Sequence, residues 1–217
     1  MNNKKRNFLL STILIFLAVI FTILVKVVDV KPIGVNESSI GVASVNQVVF
    51  KTIGVNMIWY HITDWLGLVP IFIAMIYAFI GFIQLIKRRS IFKVDKELII
   101  LGVFYIIVIC LYVFFEKFIV NYRPILMNGF LEASYPSSHT LMTICLCGSS
   151  IIVNRKLFNN KIAKFVNFLS LVVVLITVIG RILSGVHWFT DIIGGIFIGG
   201  ALLMTLYSII HIIKKEE

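Results

Sequence analysis

Residues 98–115 read LIILGVFYIIVICLYVFF, an apolar run of eighteen residues without a charged side chain. A helix rises about 1.5 Å per residue, so a run of this length approaches the roughly 30 Å thickness of a bilayer core. Across the 217 residues, 59% are hydrophobic and only 14% are charged, whereas a soluble domain usually has about 25% charged residues. This composition excludes a soluble globule, a disordered chain and a disulfide scaffold, and it predicts an integral membrane protein.

Six apolar runs approach this length and predict an all-α, six-helix membrane bundle that forms a single domain over residues 1–217. The predicted spans are 8–25, 66–86, 98–115, 138–153, 165–179 and 191–213. The first run follows basic residues as a signal peptide does, but its length and the lack of an A-x-A cleavage site favour a retained anchor. The connection 26–65 is expected to be an exterior interfacial segment, because apolar residues within 45–60 recur every three or four positions.

The charged residues divide unequally between the two sides that six alternating spans create. One set of connections, which includes both termini, carries 14 Lys and Arg against four Asp and Glu, and the other set carries six against six. Basic loops stay in the cytoplasm, so both termini are predicted to be cytoplasmic and the second set external. The net charge of +10 is then explained by topology, and no nucleic-acid partner is expected. Cys110, Cys145 and Cys147 lie in apolar runs without metal-ligand spacing, which indicates packing.

Several ionisable residues of the external set lie at the ends of four spans. They are Lys117, Arg123, His139, Arg181, His187 and Asp191. Charged groups at the edge of a membrane bundle usually face its interior or a cavity, so one shared pocket for an anionic substrate and proton transfer is expected. The structural alternatives are a snorkelling side chain for Lys117, a turn at Arg123, a helix cap at Pro136 to His139, and a hydrogen bond between His187 and Asp191.

In chain order these residues form three motifs. The motifs are Lys117-x5-Arg123-Pro124, Pro136-Ser137-Ser138-His139 and Arg181-x5-His187-x3-Asp191. Together they resemble the signature K-x6-R-P, P-S-G-H and S-R-x5-H-x3-D of the type 2 phosphatidic acid phosphatase, or lipid phosphate phosphatase, family, in a bacterial integral-membrane form. The sequence departs from this signature in three places. The first spacing is one residue short, which rotates Lys117 by about 100° if the segment is helical, Ser138 replaces a glycine, and Gly180 replaces a serine.

The resemblance implies hydrolysis of a lipid phosphomonoester or diphosphate through a phosphohistidine, with no metal and no cofactor. His187 would be the nucleophile, Asp191 would fix its tautomer, and His139 would protonate the leaving oxygen. The phosphate-binding residues would be Arg123, Arg181, Ser137, Ser138 and Lys117.

The predicted site faces the outside of a plasma membrane, where a lipid phosphate can keep its chains in the bilayer. In a bacterial cell the candidate substrates are undecaprenyl diphosphate, phosphatidylglycerophosphate and phosphatidic acid. Two alternatives remain. The first is a transporter or lipid-binding membrane protein that holds an anion without chemistry, and the second is a catalytically silent relative.

Overall fold

In this computed structural model, residues 3–213 are described and form eight α-helices. Their bounds are α1 Asn3–Val27, α2 Ala43–Ile53, α3 Met57–Leu66, α4 Leu68–Arg88, α5 Lys96–Lys117, α6 Ser138–Leu157, α7 Asn160–Ser184 and α8 Phe189–Ile213. Short 3-10 turns at Val35–Glu37 and Ile91–Lys93 lie in the connections. The all-α class predicted from the sequence is confirmed.

Five helical segments of the structure are long and apolar enough to cross a membrane. They are Lys4–Val27, Met57–Arg88, Lys96–Lys117, Asn160–Ser184 and Phe189–Ile213. Large apolar side chains on these segments, such as Phe16, Phe79 and Phe165, are exposed at the protein surface. Apolar exposure of this extent is favourable against lipid and unfavourable against water. The chain is therefore a multi-pass membrane protein, as its composition predicts.

The remaining predicted span, 138–153, is helical but is not among the strongly apolar segments. This helix, α6, packs against α4, α5, α7 and α8. Its polar side chains bond to its neighbours: the Ser150 hydroxyl lies 2.9 Å from that of Ser170, and Asn154 Nδ2 donates to Asn167 Oδ1 at 2.7 Å. Because protein rather than lipid surrounds α6, polar residues can join the helices there, and the helix does not need an apolar composition.

The connection 26–65 contains α2 and all of α3 except its last residue, and α4 follows α3 directly after Gly67. On α2 the apolar Val45 and Val48 are exposed, whereas Asn46 is fully buried. Asn46 Nδ2 donates to Thr190 Oγ1 at 2.9 Å, and Asn46 Oδ1 accepts from Thr190 N at 3.1 Å. Phe50 also faces the protein, with its ring centre 5.4 Å from that of Trp188. The inward face of α2 therefore combines a buried amide with apolar side chains, and two of its valines remain exposed.

One end of the bundle gathers the helix ends that carry the predicted site residues. The C-terminal ends of α5 and α7 meet the N-terminal ends of α6 and α8 there, and α3 packs against α7 beside them. The cations counted as cytoplasmic lie at the other end, except Lys214 and Lys215, which fall outside the described residues. The predicted charge separation is present in the fold, and the orientation in the membrane remains a prediction.

We expect a cysteine in place of exposed Ser39, at the site end, to react with a membrane-impermeant maleimide in intact cells. A cysteine in place of exposed Asn160, at the basic end, should react only after permeabilisation, because the positive-inside rule retains that end in the cytoplasm. The wild-type chain is the control, since Cys145 and Cys147 are buried and Cys110 lies in an apolar span. The opposite labelling pattern would place the site in the cytoplasm.

Candidate active site

His187 lies in the loop between α7 and α8, and its side chain is 1% exposed. Nδ1 is 3.1 Å from the carbonyl oxygen of Ser134 and 3.1 Å from its hydroxyl oxygen. Nε2 is 3.3 Å from Nη1 of Arg123. The tautomer with hydrogen on Nδ1 satisfies these contacts, since Nδ1 then donates and Nε2 accepts. This tautomer directs the lone pair of Nε2 towards the arginine.

The imidazole of His187 is held in its neutral form. Burial lowers the pKa of His187 well below its usual range, and the positive charges of Arg123 and Arg181 act in the same direction. At neutral pH the ring is therefore unprotonated on Nε2, which is the state that a nucleophile or a general base requires.

Asp191, in the first turn of α8, is fully buried and its carboxylate is satisfied by three donors. Oδ1 accepts from Asn121 Nδ2 at 3.1 Å, and Oδ2 accepts from Trp188 N at 2.9 Å and from the Ser134 hydroxyl. The carboxylate lies 3.9 Å from Nδ1 of His187, which is too long for a hydrogen bond. His187 precedes α8 instead of sharing its face, so the direct bond expected from the spacing is replaced by Ser134, which contacts both groups.

Arg123 reaches His187 from the extended segment 118–137 that joins α5 to α6. Its backbone N–H donates to Glu132 O at 3.0 Å, and its Nε pairs with Glu132 Oε2 at 3.0 Å. A narrow cleft opens beside this guanidinium. Its lining includes Tyr112, Phe115, Arg123, Ser134, Ser138 and His187.

Arg181, one turn before the end of α7, has a fully buried side chain. Nη2 lies 3.4 Å from Oδ1 of Asp64, and the guanidinium carbon lies 5.1 Å from the centre of the Tyr60 ring. Within residues 3–213, Nε and Nη1 of Arg181 have no hydrogen-bond partner. Buried N–H groups without acceptors are costly, so an anion that accepts from them would stabilise the site.

The second motif forms the N-terminal end of α6. Ser137 N donates to the carbonyl oxygen of Asp191 at 2.9 Å, and its hydroxyl accepts from Thr140 Oγ1 at 3.1 Å. Ser138 begins the helix and lines the cleft. A helix N-terminus presents unpaired N–H groups and a partial positive charge, which favour an anion. Ser137 is the N-cap residue, but its side chain makes no capping hydrogen bond among the described residues, so this helix end is open to an anion.

His139 contacts other residues of the site, whereas Lys117 does not. Nε2 of His139 lies 3.1 Å from Oδ1 of Asp64, and Nδ1 is buried without a partner among the described residues. Lys117 is the last residue of α5; its side chain is exposed and takes no part in the hydrogen bonds and ion pairs that join the other motif residues. The structure thus brings together every predicted site residue except Lys117.

Three residues that the signature does not specify complete the site: Asn121, Ser134 and Asp64. Asn121 and Ser134 are fully or almost fully buried and hold Asp191, while Asp64 contacts an arginine and a histidine. Asn121 lies two residues before Arg123, Ser134 lies two residues before Pro136, and Asp64 is a carboxylate near the end of α3. These positions are the features of the sequence that could have suggested a role for the three residues. They do not predict which side chain each residue contacts.

The glycine that replaces the family serine has a steric reason in this fold. A Cβ on Gly180 would lie 2.4 Å from Thr63 Cγ2 and 3.1 Å from the Trp59 ring. Real Cβ atoms do not approach other atoms this closely, so only glycine allows α3 to pack on α7 at this point.

Comparison with known proteins agrees with the motifs and the fold. Residues 117–215, which contain all three motifs, match the family model of the PAP2 superfamily. The chain is also similar to the crystal structure of a transmembrane PAP2-type phosphatidylglycerolphosphate phosphatase from Bacillus subtilis. The identity is 20% and the TM-score is 0.54, over 100% of this chain and 98% of that chain, which is a similarity of fold. None of the curated proteins matches the chain.

We expect inorganic phosphate to raise the apparent unfolding midpoint of the detergent-purified protein, because it would accept from the unpaired N–H groups of Arg181. At a hundredfold excess over Kd, binding adds about 2.7 kcal/mol to the free energy of unfolding. Arg181→Lys keeps the charge but loses the planar fork, so its shift should be smaller. Chloride at equal ionic strength is the control. An equal shift in chloride, or in the variant, would show that phosphate does not bind there.

Proposed function

The chain is a membrane member of the PAP2 superfamily, as its motifs predict, and from this premise we propose that it hydrolyses a lipid phosphomonoester or diphosphate through a phosphohistidine on His187. One observation carries the proposal: a buried, neutral imidazole has Nδ1 held by Ser134 and Nε2 directed at Arg123. A neutral imidazole beside a guanidinium is suited to attack a phosphate that the guanidinium binds.

In the proposed first step, Nε2 of His187 attacks phosphorus and the bond to the leaving oxygen breaks. Nδ1–H continues to donate to Ser134, and Asp191 stabilises the positive charge that develops on the ring. Arg123, Arg181 and the N-terminal end of α6 bind the remaining phosphate oxygens, whose charge must be stabilised in the transition state.

His139 supplies the proton in this scheme. It protonates the leaving oxygen as the phosphorus–oxygen bond breaks, and the lipid alcohol or lipid phosphate departs. Water then attacks the phosphohistidine, His139 accepts a proton from that water, and inorganic phosphate leaves with His187 restored. Each proton given in the first half of the cycle is recovered in the second half.

The charges of the site support a reaction without a metal ion. Two arginines border the site, and the buried carboxylate of Asp191 already accepts from three donors, so a divalent cation would meet repulsion and few free ligands. Across residues 3–213 no cluster of three His, Cys, Asp or Glu has an arrangement that could hold a metal.

A lateral groove supports a lipid substrate. The groove lies between α1, α5 and α8, has a volume of about 380 Å³, and is lined by apolar side chains together with Thr22. Phe115 lines both the groove and the cleft at His187, and the Thr22 hydroxyl lies 2.8 Å from that of Tyr135, which also lines the cleft. A lipid chain in the groove would therefore lie against the wall that Phe115 and Tyr135 form beside the cleft.

The candidate substrates remain undecaprenyl diphosphate, phosphatidylglycerophosphate and phosphatidic acid, on the external face of the plasma membrane. All three present a phosphate to the arginines and an apolar chain to the groove, so binding geometry alone does not rank them. The panel used in the assay must therefore include each of them.

We expect His187→Ala to reduce phosphate release from every active lipid in this panel to less than a few per cent of wild type. The matched control is His211→Ala, a histidine at the opposite end of the bundle that stacks on Tyr207 at 5.7 Å. Because His187 is buried, gel filtration and phosphate-induced stabilisation must confirm that the variant folds. A folded variant that keeps substantial activity would exclude His187 as the nucleophile.

Chelation should leave the wild-type rate unchanged, since the proposed steps use only histidine and arginine side chains. The measurement is phosphate release before and after dialysis against EDTA, with His187→Ala as the background. Activity that disappears with EDTA and returns with a divalent cation would contradict the proposed mechanism. A folded protein that binds phosphate but releases none from any lipid would favour the non-catalytic anion-binding alternative.

A further inference from the structure

The elbow between α3 and α4, residues 64–67, lies directly against His139. Oδ1 of Asp64 is 3.1 Å from Nε2 of His139 and 3.4 Å from Nη2 of Arg181. These residues precede the matched segment 117–215 and belong to none of the three motifs. The elbow is therefore a contribution of the exterior part of the chain to the site.

Gly67 brings the backbone of the elbow onto the imidazole. A Cβ at this position would lie 2.9 Å from Cδ2 of His139 and 3.2 Å from its Nε2. The φ of Gly67 is −61°, which any residue can adopt, so the close approach rather than the backbone conformation requires glycine. The carboxylate and the glycine together fix one edge of the ring.

The elbow is rigidly attached to the rest of the site. Thr63 and Trp59 pack so closely on Gly180 that a Cβ there would clash with Thr63 and press on the Trp59 ring. At the other end of α3, Asn56 N donates to Ser184 O at 3.0 Å. Asp64 thus belongs to a fixed wall of the site and is not on a mobile loop.

The charges that face His139 come from four parts of the chain. Asp64 on α3 is negative, whereas Arg181 on α7 and Arg123 in segment 118–137 are positive, and the ring of His187 lies beside them. Burial and the positive charges of the two arginines lower the pKa of His139 to about 4, so its protonated form is disfavoured at neutral pH. Asp64 is the carboxylate in contact that favours the protonated form.

We propose that Asp64 is a positioning residue that orients His139 and favours its protonated form for transfer of a proton to the leaving oxygen. The inference rests on the proposed function. In that step Nδ1 of the imidazolium gives its proton to the leaving oxygen, while the proton on Nε2 stays on the ring, hydrogen-bonded to Asp64. The water that attacks the phosphohistidine later returns a proton to Nδ1.

The test compares two phosphomonoesters whose leaving groups differ. Phosphatidic acid releases an alkoxide that needs protonation, whereas p-nitrophenyl phosphate releases a stable phenolate that does not. General acid catalysis contributes about 10²- to 10⁴-fold, so Asp64→Asn should lower kcat for phosphatidic acid by at least about tenfold. Turnover of p-nitrophenyl phosphate should fall much less, and the alkaline limb of the phosphatidic acid pH profile should move to lower pH.

Two further variants separate this role from general damage to the fold. Gly67→Ala keeps the carboxylate but displaces the ring, so it should show the same dependence on leaving group. Asp64→Glu should recover part of the activity on phosphatidic acid. The matched control is Glu37→Gln, an exposed carboxylate of the same exterior region, which should behave as wild type.

An equal loss on both esters in Asp64→Asn and Gly67→Ala, or wild-type turnover of phosphatidic acid in Asp64→Asn, would overturn the inference. Either result, in a protein whose wild type is active and depends on His187, would leave the proposed function intact. A wild type that cleaves neither the lipids nor the aryl ester would instead overturn the proposed function, and this inference with it.

Discussion

The carboxylate of Asp191 has no access to water, and the arrangement of the site depends on it. A buried carboxylate is costly unless several donors surround it. Asn121 and Ser134 donate from the segment before α6, and Trp188 donates from the start of α8. The loss of any one of these donors would leave buried charge poorly satisfied, so the carboxylate holds the two parts of the chain in register. Ser134 in turn holds Nδ1 of His187, and the position of the ring follows from that of the carboxylate.

The spans whose outer faces contact lipid could be predicted from the sequence, because lipid requires apolar side chains over a length that the bilayer sets. The run 98–115 is the clearest case, and α5 is a helix over Lys96–Lys117. The same argument cannot predict α6, because other helices rather than lipid surround it. Its buried polar side chains, such as Ser150 and Asn154, form hydrogen bonds with a neighbouring helix, so the helix does not need to be apolar. The argument also describes α2 only in part, because the polar Asn46 is buried beside the inward Phe50, whereas Val45 and Val48 are exposed.

The convergence of the charged motif residues could be predicted by counting spans, because consecutive helices alternate in direction. That argument correctly brings Arg123, Arg181 and His187 to one end of the bundle. Counting spans carries no information on the contacts of the segments between helices. The bridge that Ser134 forms between His187 and Asp191, and the pairing of Asp64 with His139, could therefore be found only in the structure. The spacing of His187 and Asp191 was a weak guide for a related reason, since a spacing of four places two side chains together only when both residues are helical.

Gly180 shows how α3, which precedes the matched segment, occupies a place in the family signature. The family serine would put a hydroxyl at this turn of α7, next to Arg181. Here there is no room for a side chain because Thr63 and Trp59 of α3 occupy the space, and the packing that excludes the hydroxyl brings Asp64 to the guanidinium. A carboxylate on a buried arginine is a stronger acceptor than a hydroxyl, and it also reaches His139. The loss of the serine and the gain of the α3 carboxylate are therefore two consequences of one contact between helices.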